Sequence, residues 1–342
     1  MRKYLIPETG KFYKANLHCH TNLSDGHLSP AEVKKIYMDM GYSIVAYTDH
    51  DILIPHPELK EENFLPLNGM ELEVNEKDDD TPYKFIKSSH MCMIALEEDN
   101  VCAPCWHRSK YRFGNAPKSE HLVKFDDTLP DYERYYTHES ISDMMKTGRE
   151  KGFFVTYNHP TWSLENYADY MGYNNMHAME IVNGACVAAG FDEYNSHAYD
   201  DMLRGGKRIY CIAADDNHNH GTLGTREFDS FHGYVMIKAE KLEYRFITKA
   251  LEEGNFYASQ GPAIHALYME DGRIHVECSD ADRVMLTTGI RRVGIVYAEE
   301  GKPLNHADFP VEMDDGYVRI TVIDAHGDHA DTNAYFTDEL LK

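Results

Sequence analysis

His18 and His20 are separated by one residue in the stretch LHCHTNLSDGHLSP, and a Ser-Asp-Gly turn follows directly. On an extended chain, residues two apart share a face. The two imidazoles therefore project together, while Leu17 and Cys19 turn away. Two imidazoles on one face at a strand end can share one cation; a solvated or hydrogen-bonded pair is the plain alternative. Asp25 sits in the turn, where its carboxylate can swing back to the same mouth, although Asp-Gly is also an ordinary turn pair. A second cluster, Asp49-His50-Asp51, ends the apolar run SIVAYT. Packing explains such crowding poorly, since charged groups are rarely buried unless paired or liganding. Glu71 and Glu73 share a face in GMELEV, and His90 begins HMCMIAL. Asn158 and His159 close FFVTYN, and Asp215, Asp216, His218 and His220 follow IYCIAA. Nearly every strand-like run before residue 220 thus has a histidine or carboxylate at or near one end. Strand ends are where α/β enzymes gather their site residues. The recurrence predicts one polynuclear metal centre at a barrel mouth.

The elements that must position these groups alternate from residue 12 to about 260. The strand-like runs are FYKANLH, SIVAYT, FLPLNGMELEV, HMCMIAL, FFVTYN, AMEIVN, RIYCIAA and GYVMIKA. Between them lie helical patterns. Ser29 reads as an N-cap and Pro30 as the first helical residue before AEVKKIYMDMG. Residues 138–151, FDEYNSHAYDDMLRGG and EYRFITKALEEG read as later helices. This alternation predicts an α/β fold on a mainly parallel sheet, open or closed into a barrel. Residues 98–136 break the rhythm with a charged, aromatic stretch, and a loop of that length is usually functional or a partly ordered excursion. After YASQGP only short strands follow, which reads as a small all-β sandwich. The expected division is a domain over 1–261, with an insertion at about 98–136, and a second domain over 262–342.

The chain has 342 residues, of which 42 % are hydrophobic, enough for a substantial core. Its 57 acidic residues against 34 basic ones give a formal charge of −23. That balance argues against binding a nucleic-acid polymer or an anionic membrane. It leaves room for a small anionic substrate, because bound cations can reverse the local charge. No apolar stretch is long enough to span a bilayer, and MRKYLIPETGKFYK lacks the apolar run of a secretory signal. The 7 scattered cysteines fit a reduced, cytoplasmic compartment. Cys102 and Cys105 have CxxC spacing, but no second pair accompanies them. Composition leaves the oligomeric state open.

Taken in order, HCHTNLSDG, TDHD, GMELEV, the lone His90, NHP and DDNH resemble the motif series of the PHP superfamily, named for polymerase and histidinol phosphatase. Any one motif is weak; the set, spread over residues 12 to about 260, is specific. The resemblance implies a distorted (β/α)7 barrel of PHP type, holding two or three divalent metals, with phosphatase or phosphodiesterase members. Matched position by position, the implied metal ligands are His18, His20, Asp25, His50, Glu71, His90, His159, Asp216 and His218. Glu71 is implied as the bridge between two metals, with Glu73 as its substitute. Asp215 and His220 remain as neighbours of the final pair. The β tail looks like a C-terminal module attached to some bacterial PHP proteins, while the excursion at 98–136 lies outside the family pattern.

The chemistry this implies is hydrolysis of a small phosphate mono- or diester by metal-bound hydroxide. Imidazole with carboxylate suits Zn, Mn or Fe, and a metal lowers the pKa of bound water to about 7. A third metal would be held by Asp25, His50 and His218. Asp215, His220 or Asp51 is expected to protonate the leaving group. Arg108, Lys110 and Arg112 are candidate substrate-binding residues over the mouth, with a solvated basic loop as the alternative. Trp106, Tyr111 and Trp162 either stack on a ring or simply pack. The rival readings are a metal-dependent hydrolase of a carboxylic ester, carbamate or amide, since fold does not fix substrate, and a non-enzymatic binding protein that uses the β tail.

Overall fold

The apolar runs Ile44–Tyr47, Phe153–Tyr157 and Ala178–Asn183 are buried along their whole length. That is the pattern of strands covered on both faces. The computed structural model describes residues 2–77 and 86–342. In chain order its first strands are β1 (Lys3–Tyr4), β2 (Lys11–Asn16), β3 (Ile44–Tyr47), β4 (Leu65–Asn75), β5 (Ser88–Ala95) and β6 (Phe153–Tyr157). Next come β7 (Ala178–Asn183), β8 (Tyr210–Ala214), β9 (Tyr234–Ala239) and β10 (Phe256–Ser259). The tail adds β11 (Ile264–Glu270), β12 (Arg273–Ala281), β13 (Arg283–Thr288), β14 (Val293–Tyr297), β15 (Leu304–Pro310), β16 (Tyr317–Ile323), β17 (His329–Thr332) and β18 (Tyr335–Phe336).

One large sheet runs β14-β13-β16-β17-β10-β9-β2-β3-β4-β5-β6-β7-β8, with β18 on β16. It is mixed. β2, β3 and β4 are parallel, as are β6, β7 and β8. β5 is antiparallel to both its neighbours, and β9 is antiparallel to β2. The α/β class holds, but the sheet is not mainly parallel, and no ladder among the described residues closes it into a barrel. The end beyond β8 instead meets the end beyond β2 through one parallel bridge, Cys19 with Asn217. The His20 N–H donates to the Asn217 carbonyl at 3.0 Å, and the Asp216 N–H to the His18 carbonyl at 2.9 Å. That short junction brings the first and last chemical motifs together.

Helices cover the sheet where the pattern placed them. In Pro30–Asp39 the Ser29 hydroxyl accepts from the Glu32 N–H, and the Glu32 carboxylate accepts from the Ser29 N–H. Such a cap contributes about 1 kcal/mol. The helix buries Val33 and Tyr37. Helix His138–Glu150, capped by Thr137, buries Ile141, Met144 and Met145. Apolar layers lie on both sides of the sheet. One holds Met70, Met91, Phe153 and Met179; the other holds Ala46, Leu65, Phe154 and Ile247. Among the described residues no helix is long and apolar enough to cross a membrane.

In the tail, β1, β11, β12 and β15 form a separate sheet. It packs on the β13–β16 end of the large sheet over Leu267, Val276, Val284, Leu286, Ile320 and Val322. This is a sandwich arrangement. The tail is not strung on a linker. β17 pairs with β10, and β1, from the chain start, pairs with β11. Arg319 adds a buried tie, donating to Asp200 from Nε and Nη2 at 2.9 Å each and to Asp331 at 3.3 Å.

Candidate metal centre

Glu71 stands in the middle of β4, where the sheet is buried on both faces, and its two oxygens meet imidazoles from separate segments. Oε1 lies 3.1 Å from His18 Nε2, 3.2 Å from His90 Nδ1 and 3.5 Å from His159 Nε2. Oε2 lies 3.3 Å from both His20 Nε2 and His50 Nδ1. On the far side, Asp216 Oδ1 is 3.1 Å from His18 Nε2 and 3.0 Å from His20 Nε2. Asp25 Oδ2 is 3.0 Å from His218 Nε2 and 3.7 Å from His50 Nε2. Several overlapping groupings have donor atoms within 4.8 Å of one another, among them His18, His20, Glu71 and Asp216; Glu71, His90 and His159; and His20, Asp25, His50 and His218. The structure thus brings together all nine positions matched as ligands. Glu73 lies at the edge, 3.6 Å from His90 Nε2.

Local structure orients the imidazoles. The His18 Nδ1 faces Glu180 Oε1 at 2.7 Å, His218 Nδ1 faces the Asp216 carbonyl at 2.9 Å, and His159 Nδ1 faces Ser163 Oγ at 3.2 Å. Carboxylate and carbonyl only accept, so neutral His18 and His218 carry the proton on Nδ1 and present an Nε2 lone pair, as metal-bound imidazoles do. The Ser163 hydroxyl can donate or accept, so it orients His159 without fixing its tautomer. His18 Nε2 and His20 Nε2 lie only 3.0 Å apart. Buried atoms at the centre, namely His20 Nδ1, His50 Nδ1, His90 Nδ1, Glu71 Oε2 and Asp216 Oδ1, have no hydrogen-bond partner among the described residues. Buried polar atoms are normally satisfied. Facing lone pairs and orphaned acceptors from hard and borderline donors fit divalent cations.

Strain and close approach hold the geometry. Two of the implied ligands have positive φ, His159 at 26° and Asp216 at 53°, a conformation that clusters at functional sites. A Cβ on Gly26 would lie 2.7 Å from the His20 carbonyl oxygen, so the turn carrying Asp25 approaches the first motif as only glycine can. Asp49 accepts from the Thr21 N–H and hydroxyl at 2.8 Å each and from the Ser24 hydroxyl at 2.6 Å, pinning the same turn.

Charge in the cluster follows these contacts. Burial alone would raise the Glu71 carboxyl, but the charges of His18 and His90 with bonds from His159 and His18 hold it well below the usual range. Asp216 is likewise held low; burial is outweighed by His18 and His20. His50 is pushed down to about 3 by burial, then by neighbouring His20. His159 is raised to about 9, because the Glu71 bond and the Asp216 charge together outweigh burial.

The remaining candidates are placed differently. Of the three possible proton donors, His220 lines the cavity, while Asp51 and Asp215 do not. Asp215 is buried and accepts from the Tyr37 hydroxyl and the N–H groups of Phe231, His232 and Gly233, so both its oxygens are occupied. Asp51 is buried against Arg134, with Nη1 2.5 Å from Oδ1. The basic loop residues are also absent from the cavity lining. Arg108 pairs with Asp131 at 2.6 Å, Lys110 with Glu133 at 2.8 Å and Arg112 with Glu120 at 2.7 Å. Local acids hold each one away. Trp106 packs on Phe125, and Tyr111 lies under Arg134. Cys102 and Cys105 are free thiols.

Residues outside the matched ligand set also brace or line the site. Glu180 is fully buried on β7, whose ladder shifts register between Glu180 and Val182, a bulge beside the centre. Its Oε2 accepts from the His159 N–H at 3.0 Å and from Asn183 Nδ2 at 2.9 Å. An acidic residue inside the apolar run AMEIVN was the available signal. Asn158 donates to Glu71 Oε1 at 2.8 Å. Phe113, from the 98–136 excursion, reaches His50 with ring centroids 5.5 Å apart.

No family model and no curated protein matches the chain. Solved structures do. A two-domain protein containing a predicted PHP-like metal-dependent phosphoesterase, from Bacteroides vulgatus, is 14% identical with a TM-score of 0.46, and the match covers 94% of each chain. A candidate metal-dependent phosphoesterase from Bifidobacterium adolescentis is 15% identical over 64% of this chain and 91% of its own, with a TM-score of 0.37. An amidohydrolase from Chromobacterium violaceum with bound sulfate and no metal is 17% identical over 60% of this chain and 88% of its own, with a TM-score of 0.34. What the site does is read from its own side chains.

Proposed function

We propose that the protein is a metal-dependent hydrolase of small phosphate mono- or diesters. The observation that carries this reading is Glu71, whose two oxygens face five imidazoles, His18, His90 and His159 on one side and His20 and His50 on the other. One carboxylate so placed suits a ligand shared between cations. His18, His20 and Asp216 would complete one position, His90 and His159 another, and Asp25, His50 and His218 a third. Divalent metals bound there would supply positive charge for an anionic ester and lower the pKa of a water toward neutrality.

The chain's own residues do the rest. Glu180, Ser163 and the Asp216 carbonyl orient the imidazoles. Asn158 fixes the Glu71 carboxylate. His220 lines the cavity with its ring stacked near His218, centroids 5.8 Å apart, and is the candidate to pass a proton to the departing oxygen. Water adds to phosphorus, the ester oxygen leaves with that proton, and inorganic phosphate or a monoester is released. No lysine or arginine among the described residues lines the cavity, so the metals would carry the whole task of anion binding.

A phosphate-release screen of the metal-loaded protein over aryl and alkyl mono- and diesters, run beside matched carboxylic esters and amides, tests the reading. Release of phosphate that disappears with chelator and with Glu71→Gln supports it. Turnover of the carboxylic substrates alone replaces it with the rival hydrolase.

A further inference from the structure

We infer that the cavity beside the cluster takes an uncharged, planar group against Phe113 and Trp162, and so selects esters that carry a single anionic group. This names a substrate class for the phosphoesterase reading above and rests on it.

The cavity has a volume of about 500 Å³. Phe113 and Trp162 line it while 50% and 40% exposed, so both rings present apolar surface at the cavity mouth. Each stands edge-on to ligand-type histidines. The centroid of Phe113 is 5.5 Å from His50, and that of Trp162 is 5.3 Å from His90 and 5.0 Å from His159. A ring resting on either aromatic would sit next to the centre.

Both rings are anchored through their backbones. Glu193, fully buried, accepts from the Thr161 N–H at 3.1 Å and the Trp162 N–H at 2.8 Å. The Phe113 loop is tied to the SDG turn by the Asn115 N–H, 2.5 Å from the Ser24 carbonyl. Gly114, at φ 56°, comes so close that a Cβ would lie 2.4 Å from that same carbonyl oxygen. Walls held in place before binding lose little freedom when it happens. The long excursion thus reaches the mouth with an aromatic side chain, while Arg108, Lys110 and Arg112 are paired with acids away from the cavity.

Charge narrows the choice. Beyond the ligand-type residues, the charged groups lining the cavity are Glu73, Glu227 and Asp229. A second phosphate or carboxylate on the substrate would face these acids with no countercharge. A neutral ring would instead trade water for aromatic contact.

The test is calorimetric titration of metal-loaded protein with methylphosphonate, phenylphosphonate and 1,4-phenylenebisphosphonate. Phenylphosphonate is expected to bind about tenfold more tightly than methylphosphonate, the scale of an aromatic contact. Phe113→Ala and Trp162→Ala are expected to erase that advantage while keeping methylphosphonate affinity, which also reports that the variants are folded. The second phosphonate is expected to weaken binding. Equal affinity for the phenyl and methyl probes, including no measurable binding of either, overturns the inference, as does a phenyl advantage that survives both substitutions. Failure to release phosphate from any ester defeats the phosphoesterase reading alone; the phosphonate comparison still decides this one.

Discussion

The Glu180 carboxylate lies 2.7 Å from Nδ1 of His18, with both side chains fully buried. The contact fixes the ring orientation and leaves Nε2 toward Glu71, His20 and Asp216. Removing such an outer partner typically lowers metal affinity 10–100-fold. Glu180→Gln keeps an acceptor but loses the charge, and Glu180→Ala loses both. Competition with a chromophoric chelator is expected to show weaker metal binding in both variants, more so in the second. Wild-type affinity in Glu180→Ala would contradict the assignment.

Arg134 anchors the 98–136 excursion from beneath. It donates to Asp51, to the Glu73 carbonyl at 3.1 Å and to the Cys105 carbonyl at 3.4 Å. Burial pushes the Asp51 carboxyl up to about 7, and the Arg134 charge only partly offsets this. Breaking a buried pair from one side costs about 3–5 kcal/mol because the other charge is stranded. Arg134→Met is therefore expected to lower the urea midpoint sharply, and Arg134→Met with Asp51→Asn to recover part of the loss. A single variant as stable as wild type would contradict this.

The three candidate basic residues of the excursion are spoken for. Arg108, Lys110 and Arg112 each have an acidic partner at 2.6–2.8 Å. Alanine at Arg108 and Lys110, whose exposed side chains stay outside the cavity lining, is expected to leave KM for an anionic ester within about twofold. A tenfold rise in KM would restore them to the site.

His177 gives a pH signature away from the centre. Its Nδ1 accepts the Val155 N–H at 3.0 Å, and its ring stacks on Phe154. Burial, then the charge of Arg149, push it down to about 4 from 6.5. The unfolded chain binds this proton more readily, so the stability contribution is full above the unfolded pKa and is lost as pH falls toward the folded one. Its amplitude is on the order of 3 kcal/mol. Urea unfolding of chelator-treated protein at about pH 7 and about pH 5 is expected to show about 2 kcal/mol of that loss. His177→Gln is expected to show less of it. Identical pH dependence in both proteins would contradict the account.

The cluster of histidines and carboxylates was legible because its pattern repeats. Histidines and carboxylates at successive strand ends are separated in sequence but adjacent in any fold that lays those strands side by side. The sheet's mixed direction was not legible, because β5, buried on both faces, reads as an apolar run whichever way it points. Strand position alone did not separate Asp216 from Asp215; only the motif match did. Both follow β8, yet Asp216 turns into the centre at φ 53°, while Asp215 is taken up by backbone donors at 2.8–2.9 Å and Tyr37. The basic loop misled for a similar reason. Its charges were visible, but the acids that neutralise them, Asp131, Glu133 and Glu120, stand eight to twenty-three residues away. Glu180 lay in plain view as a lone acid in an apolar strand, but it belongs to no motif.

The central claim is that Glu71 is a shared ligand of a polynuclear centre. Its most direct test is elemental analysis of the purified protein and of Glu71→Ala, with folding verified by circular dichroism. About two to three equivalents of divalent metal per chain are expected in the wild type. Glu71→Ala is expected to retain no more than one, at the Asp25, His50 and His218 position that does not need Glu71. A wild type without stoichiometric metal, or a Glu71→Ala protein that holds the full complement, would contradict the account.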